Sequence, residues 1–337
     1  MGISRKRAAA LLGKFARRRV LVVGDLMLDR FVYGSVSRIS PEAPVPVVRV
    51  AKETCMPGGA SNVACNVRAL GGKAAVAGMI GKDAAGVELR WLLTHADVDV
   101  ECAMMFAGAG TIVKERVIAE RQQVVRVDYE RPTAWSPRQS EKFLALLALE
   151  LNKADGVVIE DYGKGAVTQA VADLVLKTAA RRKIPVGLDP KDGHDLNLRG
   201  ITVATPNRKE AFAIAGLADP GAKENPLADK ALQKAGDVLM EKWAAENLAI
   251  TLGPQGMYLA SRGKPARHVP TQAREVFDVS GAGDTVIAAC VAALAAGANF
   301  PEAAELANVA AGVVVGKLGT ASCTPEELLN HMRNPRQ

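Results

Sequence analysis

The residues best suited to chemistry lie near the C-terminal end of the sequence, in the stretch 278–285, DVSGAGDT. A small, flexible turn leads there into an acid, in the order Gly281, Ala282, Gly283 and Asp284. The alanine-rich run 285–296 contains no Pro or Gly and predicts a buried helix that ends at Gly297. Free N–H groups at a helix start attract anions, so Asp284 could accept a proton from a nucleophile held beside one. The alternative is an ordinary turn in which Asp284 only stabilises the helix N-terminus.

Two further stretches in the first quarter of the sequence could contact a ligand. An apolar strand is predicted over 20–24, and Asp25 and Asp29 follow it. Open α/β sheets bind ligands at such strand ends, although either acid could instead cap a turn. Farther along, two glycines and an amide precede a helix predicted over 63–70: Gly58, Gly59 and Asn62. Glycines allow the backbone to approach a ligand closely, whereas the simpler interpretation is a small-residue helix start.

From about residue 138 the sequence alternates between strand and helix patterns, which is typical of a doubly wound parallel sheet. Lys164 follows the strand predicted over 156–160 and could reach a phosphate, although no Walker A motif occurs. Asn207 and Glu210 are spaced i, i+3 at a predicted helix start. They could therefore face one ligand, or they could form a capping arrangement without function.

Composition narrows the function classes. The 337 residues, 49% hydrophobic and 4% aromatic, suit a large α/β domain, and we interpret 1–337 as a single one. The net charge of +7 is dispersed and accompanied by few aromatics, which favours anionic small substrates over nucleic acid. No apolar run is long enough to predict a membrane partner. Five cysteines without CxxC or metal-type spacing predict a reduced, cytoplasmic protein.

Several of these stretches resemble the signatures of one family. GGASNVACNVRALGG at 58–72 resembles the N-terminal signature of the ribokinase-like (PfkB) carbohydrate kinases, and DVSGAGDTVIAACVAALAAG at 278–297 resembles their C-terminal signature. PNRKE at 206–210 matches the family's NxxE motif, and TLGPQG at 251–256 is similar to its TLGxxG segment. The resemblance spans roughly residues 15–330. It implies a ribokinase-like, doubly wound α/β sandwich with a mostly parallel central sheet and a small β-sheet lid.

The resemblance also implies ATP and Mg²⁺ as cofactors, and it implies a role for each matching position. Asp284 would be the catalytic base, and the turn of Gly281, Ala282 and Gly283 would be the anion hole for the transferred phosphoryl group. The expected sugar-phosphate contacts are Asp29, Arg38, Gly58, Gly59, Asn62, Lys114, Arg116 and Lys164. The expected nucleotide contacts are Lys191, Asn207, Glu210, Thr251, Gly253, Gly256, Asn308 and Gly312. Of these, Asn207 and Glu210 would organise the hydrated Mg²⁺.

The lid would come from two segments, about 30–50 and about 108–131. The second alternates apolar and polar residues around 122–123, as a half-exposed hairpin does, and its charges Lys114, Arg116 and Arg126 could be aimed at a sugar phosphate. The first is broken by prolines and carries apolar edge residues, which are Val45, Val47 and Val48. Because such edges invite pairing with a copy of themselves, we expect a homodimer built through the two lids.

The segment RISPEAPVPVV at 38–48 is similar to the bacterial heptose 7-phosphate kinases of lipopolysaccharide inner-core synthesis. This implies transfer of the γ-phosphoryl group of ATP to the anomeric hydroxyl of D-glycero-β-D-manno-heptose 7-phosphate. The four histidines form no HxGH motif, so we expect a stand-alone kinase form. The alternatives are another sugar or nucleoside kinase of this fold, or a non-catalytic sugar-sensing relative, which would be expected to lack Asp284. A Rossmann dehydrogenase is disfavoured because its glycine turn would follow the first strand.

Overall fold

The computed structural model describes residues 2–120, 122–130, 135–317 and 319–332. Its strands are β1 (Arg19–Gly24), β2 (Leu26–Ile39), β3 (Pro46–Gly59), β4 (Lys73–Gly81), β5 (Asp99–Phe106), β6 (Ile112–Ala119), β7 (Gln122–Tyr129), β8 (Gly156–Glu160), β9 (Val186–Asp189), β10 (Val203–Ala204), β11 (Asn247–Thr251), β12 (Met257–Ser261) and β13 (Lys264–Val269). Its helices are α1 (Arg5–Phe15), α2 (Ala60–Ala69), α3 (Ala84–His95), α4 (Pro137–Leu151), α5 (Gln169–Arg182), α6 (Arg208–Ala215), α7 (Lys230–Lys242), α8 (Ala282–Ala295), α9 (Phe300–Val314) and α10 (Pro325–His331). Among the described residues, we find no helix with the length and apolar character needed to cross a lipid bilayer.

The large sheet has the strand order β13-β12-β11-β10-β9-β8-β1-β4-β5 within the described residues. Neighbouring strands from β11 to β5 in this order are parallel, and β12 and β13 are antiparallel. Strand β1, between β8 and β4, is apolar and buried from Val20 to Val23, as expected of a strand that is covered on both faces. Val20 and Val22 belong to one hydrophobic core, whereas Leu21 and Val23 belong to the core on the other face. This arrangement confirms the predicted doubly wound α/β sandwich.

Helix α8 lies close against the large sheet because a glycine leaves room for it. A Cβ atom at Gly187 in β9 would lie only 2.4 Å from Cγ2 of Val291 in this helix. The helix follows Gly281, whose φ is +75°, and it ends just before Gly297, whose φ is +89°. Both bounds agree with the glycine signals in the sequence. The buried helix therefore holds its N-terminus at the carboxyl end of the parallel strands.

Four strands form a second sheet in the order β3-β2-β6-β7, called the small sheet below. The β2–β6 pair is parallel and the other two pairs are antiparallel. Strands β6 and β7 lie within the predicted lid segment 108–131, whereas β2 and β3 extend beyond the predicted segment 30–50, from Leu26 and to Gly59. The hairpin turns earlier than predicted, since Glu120 takes the left-handed conformation (φ +48°) and Gln122 already belongs to β7. Strand alternation places Lys114 and Arg116 of β6 on the same face of the small sheet.

Candidate active site

A cavity of about 420 Å³ lies between the small sheet, the start of α8 and the loops that follow β8 and β9. Five cationic side chains and four carboxylates line it. Of the residues predicted from sequence, it brings together Asp29, Gly59, Lys114, Arg116, Lys164, Lys191, Gly281 and Asp284. A larger cavity of about 930 Å³ lies against the first residues of the chain and the β12–β13 hairpin, and none of the predicted site residues lines it. The smaller cavity is therefore the candidate active site.

Asp284 lies in the first turn of α8, and only 7% of its surface is exposed. Its Oδ2 accepts a hydrogen bond from Asn62 Nδ2 at 2.6 Å, and its Oδ1 accepts one from the Tyr162 hydroxyl at 3.4 Å. Burial raises the pKa of Asp284 to about 6, with a further contribution from the charge of Asp29, while the bonds from Asn62 and Tyr162 act in the opposite direction. At neutral pH the group is thus mainly a carboxylate, with a pKa high enough to take up a proton during a reaction.

A second amide fixes the orientation of Asn62. Asn66, one helical turn later in α2, donates from Nδ2 to the carbonyl oxygen and to Oδ1 of Asn62, at 3.0 and 3.2 Å. The side-chain oxygen of Asn62 is thereby engaged, so its NH₂ group is directed to Asp284. The Oδ1 of Asn66 accepts in turn from the Thr285 hydroxyl at 2.9 Å. Asn62, predicted as a sugar contact, is therefore a hydrogen-bond partner of Asp284 that ties α2 to α8.

Asp29 reaches the cavity from β2. Its Oδ1 accepts a hydrogen bond from Arg116 at 2.7 Å, and the Arg116 guanidinium lies 5.2 Å from the centre of the Phe31 ring. A Cβ atom at Gly58 would lie 2.7 Å from Asp29 Oδ2, so only glycine leaves room for this carboxylate. The sequence predicted that the paired glycines let a ligand approach the backbone closely. At Gly58, the group that approaches is instead the carboxylate of Asp29.

Asp25 has a different task from Asp29. Its carboxylate accepts three backbone hydrogen bonds, from Tyr162 at 2.9 Å, Lys164 at 3.0 Å and Ala166 at 3.0 Å. Burial raises the pKa of Asp25, and these three bonds oppose that rise. Asp25 thus holds the loop that carries Tyr162 and Lys164 into the cavity. The sequence left open which of the two acids organises a turn, and the structure gives that task to Asp25.

The cations of the small sheet are paired with acids that the sequence analysis did not single out. Lys114 Nζ lies 2.8 Å from Glu130 Oε1 and 3.2 Å from Asp128 Oδ2. Lys164 Nζ approaches the other oxygen of Glu130 at 2.5 Å. Arg126 forms a fork on Asp128, with contacts of 2.8 and 3.0 Å. Side chains alternate between the two faces of a strand. The alternation that places Lys114, Arg116 and Arg126 on the cavity face therefore places these acids there as well.

A group of three acids lies beside the start of α8. One carboxylate oxygen each from Glu160, Asp189 and Asp284 lie within 4.8 Å of one another. Burial raises the pKa values of Glu160 and Asp189 well above their usual range, and nearby carboxylates add to the rise: Asp189 and Asp284 for Glu160, and Glu210 and Asp284 for Asp189. Glu160 Oε2 is buried and has no hydrogen-bond partner among the described residues. The sequence analysis missed this group, although Glu160 and Asp189 end neighbouring parallel strands, where ligand sites are expected.

Asn207 and Glu210 form a capping box at the start of α6. Asn207 Oδ1 accepts from the Glu210 backbone N–H, and Glu210 Oε2 accepts from the Asn207 backbone N–H, both at 2.9 Å. The i, i+3 spacing allowed two interpretations, and the structure contains the capping arrangement. Burial raises the pKa of Glu210, whose charge also acts on Glu160 and Asp189. Glu210 therefore contributes to the electrostatics of the acidic group even while it caps the helix.

The other predicted nucleotide contacts lie outside the cavity, and their contacts are internal to the fold. The Thr251 N–H donates to the carbonyl of Pro206, and Asn308 Nδ2 donates to the carbonyl of Pro270 at 2.6 Å. Gly253 and Gly256 bound the turn before β12, with φ values of +56° and +87°. A Cβ atom at Gly312 would lie 2.9 Å from the backbone of Gln272, so glycine allows this segment to pack on α9.

Arg38 is the predicted sugar contact that the structure leaves farthest from the cavity. It lies near the far end of β2, is exposed, and pairs with Val47 across the strands. Nine residues of extended chain separate it from Asp29, a distance of about 30 Å. Arg38 therefore cannot line this chain's cavity in the conformation described.

Comparison with known proteins identifies the family. The pattern of the pfkB family of carbohydrate kinases matches residues 17–327. The chain is 49% identical over 310 residues to "Bifunctional protein HldE" of Halorhodospira halophila, covering 92% of this chain and 62% of that protein. It is 41% identical over 330 residues to the protein of the same name from Geobacter sulfurreducens, covering 98% of this chain and 66% of that protein. The chain thus spans about two thirds of the length of these bifunctional relatives.

Solved structures support the same fold. Arabidopsis thaliana ribokinase complexed with ribose and ATP aligns with a TM-score of 0.75 at 19% identity, over 94% of this chain and 98% of that one. Escherichia coli phosphofructokinase-2 in complex with potassium aligns with a TM-score of 0.74 at 20% identity, with the same coverage. These likenesses show a ribokinase-like fold. The family match over residues 17–327 and the relatives at 41–49% identity show that this chain is a member of the pfkB family of carbohydrate kinases, which are ATP-dependent enzymes.

Proposed function

We propose that this chain transfers the γ-phosphoryl group of ATP to the anomeric hydroxyl of D-glycero-β-D-manno-heptose 7-phosphate, giving the 1,7-bisphosphate. The observation that carries this proposal is the placement of Asp284 at the start of α8, inside a cavity lined by five cations. The name of the HldE relatives and the lid-like segment 38–48 support the heptose as acceptor. Because those relatives are bifunctional and longer, the proposal concerns the kinase reaction alone.

In the proposed reaction the anomeric oxygen attacks the γ-phosphorus, the bond to the β,γ-bridging oxygen breaks, and ADP leaves. Asp284 accepts the hydroxyl proton as the new P–O bond forms. Asn62 and Tyr162 keep its carboxylate in place through the two hydrogen bonds described above. Of the backbone N–H groups from Gly281 to Asp284 at the start of α8, that of Ala282 donates to the Val279 carbonyl at 3.2 Å, and those of Gly281, Gly283 and Asp284 face the charge on the transferred group. Asp29 and the backbone at Gly59 hold sugar hydroxyls beneath the small sheet, which acts as a lid.

Mg²⁺ fits the acidic group better than it fits the NxxE pair. Glu160 and Asp189 offer hard oxygen ligands, and Glu160 Oε2 is buried without a hydrogen-bond partner in the described part of the chain. Asn207 and Glu210 are already bonded to each other, which suits a role through water. When bound, the ion would neutralise charge on the ATP phosphates. Lys191, at the mouth of the cavity, and the turn from Thr251 to Gly256 remain our proposed nucleotide contacts, as do Asn308 and Gly312.

We also propose that the reaction takes place in the cytoplasm. The chain's cysteines are all free thiols, and three of the five are buried. Free thiols are typical of proteins kept in a reducing compartment, where ATP is also available. The proposed partners are accordingly two small molecules, the sugar phosphate and ATP, and neither a membrane nor a nucleic acid.

The acceptor preference tests the proposed function. We expect kcat/KM for heptose 7-phosphate to exceed that for unphosphorylated heptose by roughly 10²–10³-fold, since the phosphate can form charge-assisted hydrogen bonds with several cations. An ATP-consumption assay across heptose 7-phosphate, heptose, ribose, fructose 6-phosphate and adenosine measures this preference. Equal values for the two heptoses would contradict recognition of the phosphate. A clear preference for ribose or adenosine would instead favour another kinase of this fold.

A second prediction concerns assembly through the small sheet. Strand β7 lies at the edge of this sheet and is exposed along its length, and its face turned away from the cavity carries Val125, Val127 and Tyr129. An exposed apolar edge strand is a template for pairing with another copy. We expect light scattering to give the mass of a homodimer, and Val127→Asp to shift the mass toward that of the monomer. A monomeric parent chain at assay concentration would contradict this arrangement.

A further inference from the structure

The cavity face of the small sheet carries an unusual pairing of charges. Arg116 of β6 lies directly opposite Arg126 of β7, and Lys114 lies opposite Asp128. Like charges directly opposite each other destabilise a sheet unless an anion compensates them. Asp29 and Asp128 each pair with one of these arginines. The face is thus built to hold anionic groups against cations.

Glu130 occupies the point where the cations of the two sheets meet. Lys114 belongs to the small sheet, whereas Lys164 belongs to the loop after β8 of the large sheet. Each lysine binds a different oxygen of the Glu130 carboxylate, at 2.8 and 2.5 Å. Two ammonium groups from separate parts of the fold therefore converge on one bridging anion. A phosphate group could make the same two contacts with two of its oxygens.

The charges favour replacement of the Glu130 carboxylate by a phosphate group. Burial alone would raise the pKa of Glu130, but hydrogen bonds and charge from Lys114 and Lys164 outweigh it and lower the pKa. Glu130 is therefore an anion at neutral pH, and it competes with any other anion for these lysines. A phosphate monoester carries up to two negative charges, so it binds a lysine pair more strongly than a single carboxylate does. Only 13% of the Lys114 side chain is exposed, and this limits the screening of its charge by water.

We propose that Glu130 is an internal stand-in for the sugar phosphate. It bridges Lys114 and Lys164 until the acceptor binds, and the acceptor's phosphate then displaces it and takes over both lysines. The two lysines thereby set the preference for a phosphorylated acceptor, and Glu130 weakens the binding of that acceptor. This inference rests on the proposed function for the identity of the acceptor, but its geometry concerns any phosphate group placed in the cavity.

Two opposite effects test the proposal. Lys114→Gln and Lys164→Gln should each raise KM for heptose 7-phosphate by roughly 10–100-fold, a much larger change than in KM for unphosphorylated heptose. Glu130→Gln should lower KM for heptose 7-phosphate by roughly 2–10-fold, because it removes a competing ion pair. If Glu130 served only to stabilise the small sheet, Glu130→Gln would raise KM for both acceptors. An unchanged or higher KM for heptose 7-phosphate in Glu130→Gln overturns the proposal.

The matched control is Glu115→Gln. Glu115 lies on β6 between Lys114 and Arg116, but it pairs with Arg30 at 3.3 Å and does not line the cavity. We expect this variant to keep the parent KM for both heptoses, and a decrease like that of Glu130→Gln would show an unspecific charge effect and overturn the proposal. Thermal unfolding of each variant shows whether it is folded.

Titration with inorganic phosphate in the absence of ATP separates this inference from the proposed function. In calorimetry, Glu130→Gln should bind inorganic phosphate more tightly than the parent chain, and Lys114→Gln should bind it more weakly. If the parent chain does not phosphorylate heptose 7-phosphate, the proposed function fails, yet this titration still decides whether the lysine pair is a phosphate site. If the parent chain does phosphorylate it but the two variants bind phosphate as the parent does, the lysine pair is not a phosphate site and Glu130 is not its stand-in, while the proposed function stands.

Discussion

Asp284→Asn should lower kcat by about 10²–10⁴-fold and leave the affinity for ATP within several-fold of the parent. Asparagine has nearly the same shape and can still accept a hydrogen bond from Asn62, but it cannot take up the hydroxyl proton. The backbone N–H groups that begin α8 are unchanged, so nucleotide binding should survive. Steady-state kinetics with heptose 7-phosphate and a separate ATP-binding titration measure the two effects. A near-parental turnover would show that Asp284 only stabilises its helix.

Stability distinguishes a lost base from a damaged fold. The pKa of Asp284 in the folded chain, about 6, lies above its ordinary value of 3.8, so its ionisation costs the folded state stability as pH rises through about 6. Asparagine removes this cost, and the variant should unfold at the same or a higher temperature at pH 8. A suitable control is Tyr162→Phe, which removes one hydrogen bond to Asp284 but keeps the base. We expect it to lose less than about tenfold in kcat.

Gly281→Ala should lower kcat/KM by roughly 10²–10³-fold, the range expected when a donor to the reacting group is displaced. Its new Cβ would lie 2.7 Å from Asn62 Nδ2, the atom that holds Asp284. The alanine must also adopt the left-handed backbone of Gly281, at a cost of about 1–2 kcal/mol. Either the turn or Asn62 must move, and both position the reacting groups. The kinetics of the variant with both substrates measure this loss.

Gly297→Ala is the matched control for that variant. Gly297 follows the same helix with a similar left-handed backbone, but a Cβ atom there would meet no atom of the described residues within 4 Å. Both variants share the strain of a left-handed alanine, but only Gly281→Ala adds a clash, so Gly297→Ala should lose less stability and should retain the parent kcat/KM. Equal activity in the two variants would mean that Gly281 has no special relation to the site.

The elements that hold the site could largely be predicted from the sequence because their signals are local. Gly281 and Gly297 mark the two ends of α8, and the apolar run 20–24 corresponds to the buried strand β1. Other helices and strands were harder to predict from the sequence. The amphipathic helix α7, which is capped by Asp229, and the edge strand β13 lie in polar stretches, and the sequence analysis did not identify either.

Within the site, the sequence showed which residues could do chemistry but not which side chains would meet. Asn62 and Asp284 are 222 residues apart, and their hydrogen bond depends on how α2 and α8 pack. Glu160 and Asp189 resemble ordinary strand ends until parallel pairing places them side by side. Arg38 shows the opposite case, since a motif associates it with the sugar while the length of β2 carries it away. Tertiary pairing, rather than local pattern, decided each of these outcomes.

Analysis of the reaction product tests the central claim most directly. The parent chain is incubated with MgATP and D-glycero-β-D-manno-heptose 7-phosphate, and the sugar product is examined by ³¹P NMR. We predict two phosphorus signals in equal amounts, one of them coupled to the anomeric proton, together with one ADP for each sugar consumed. ADP formation without a phosphorylated sugar, or a new phosphate on any oxygen other than the anomeric one, would contradict the proposed function.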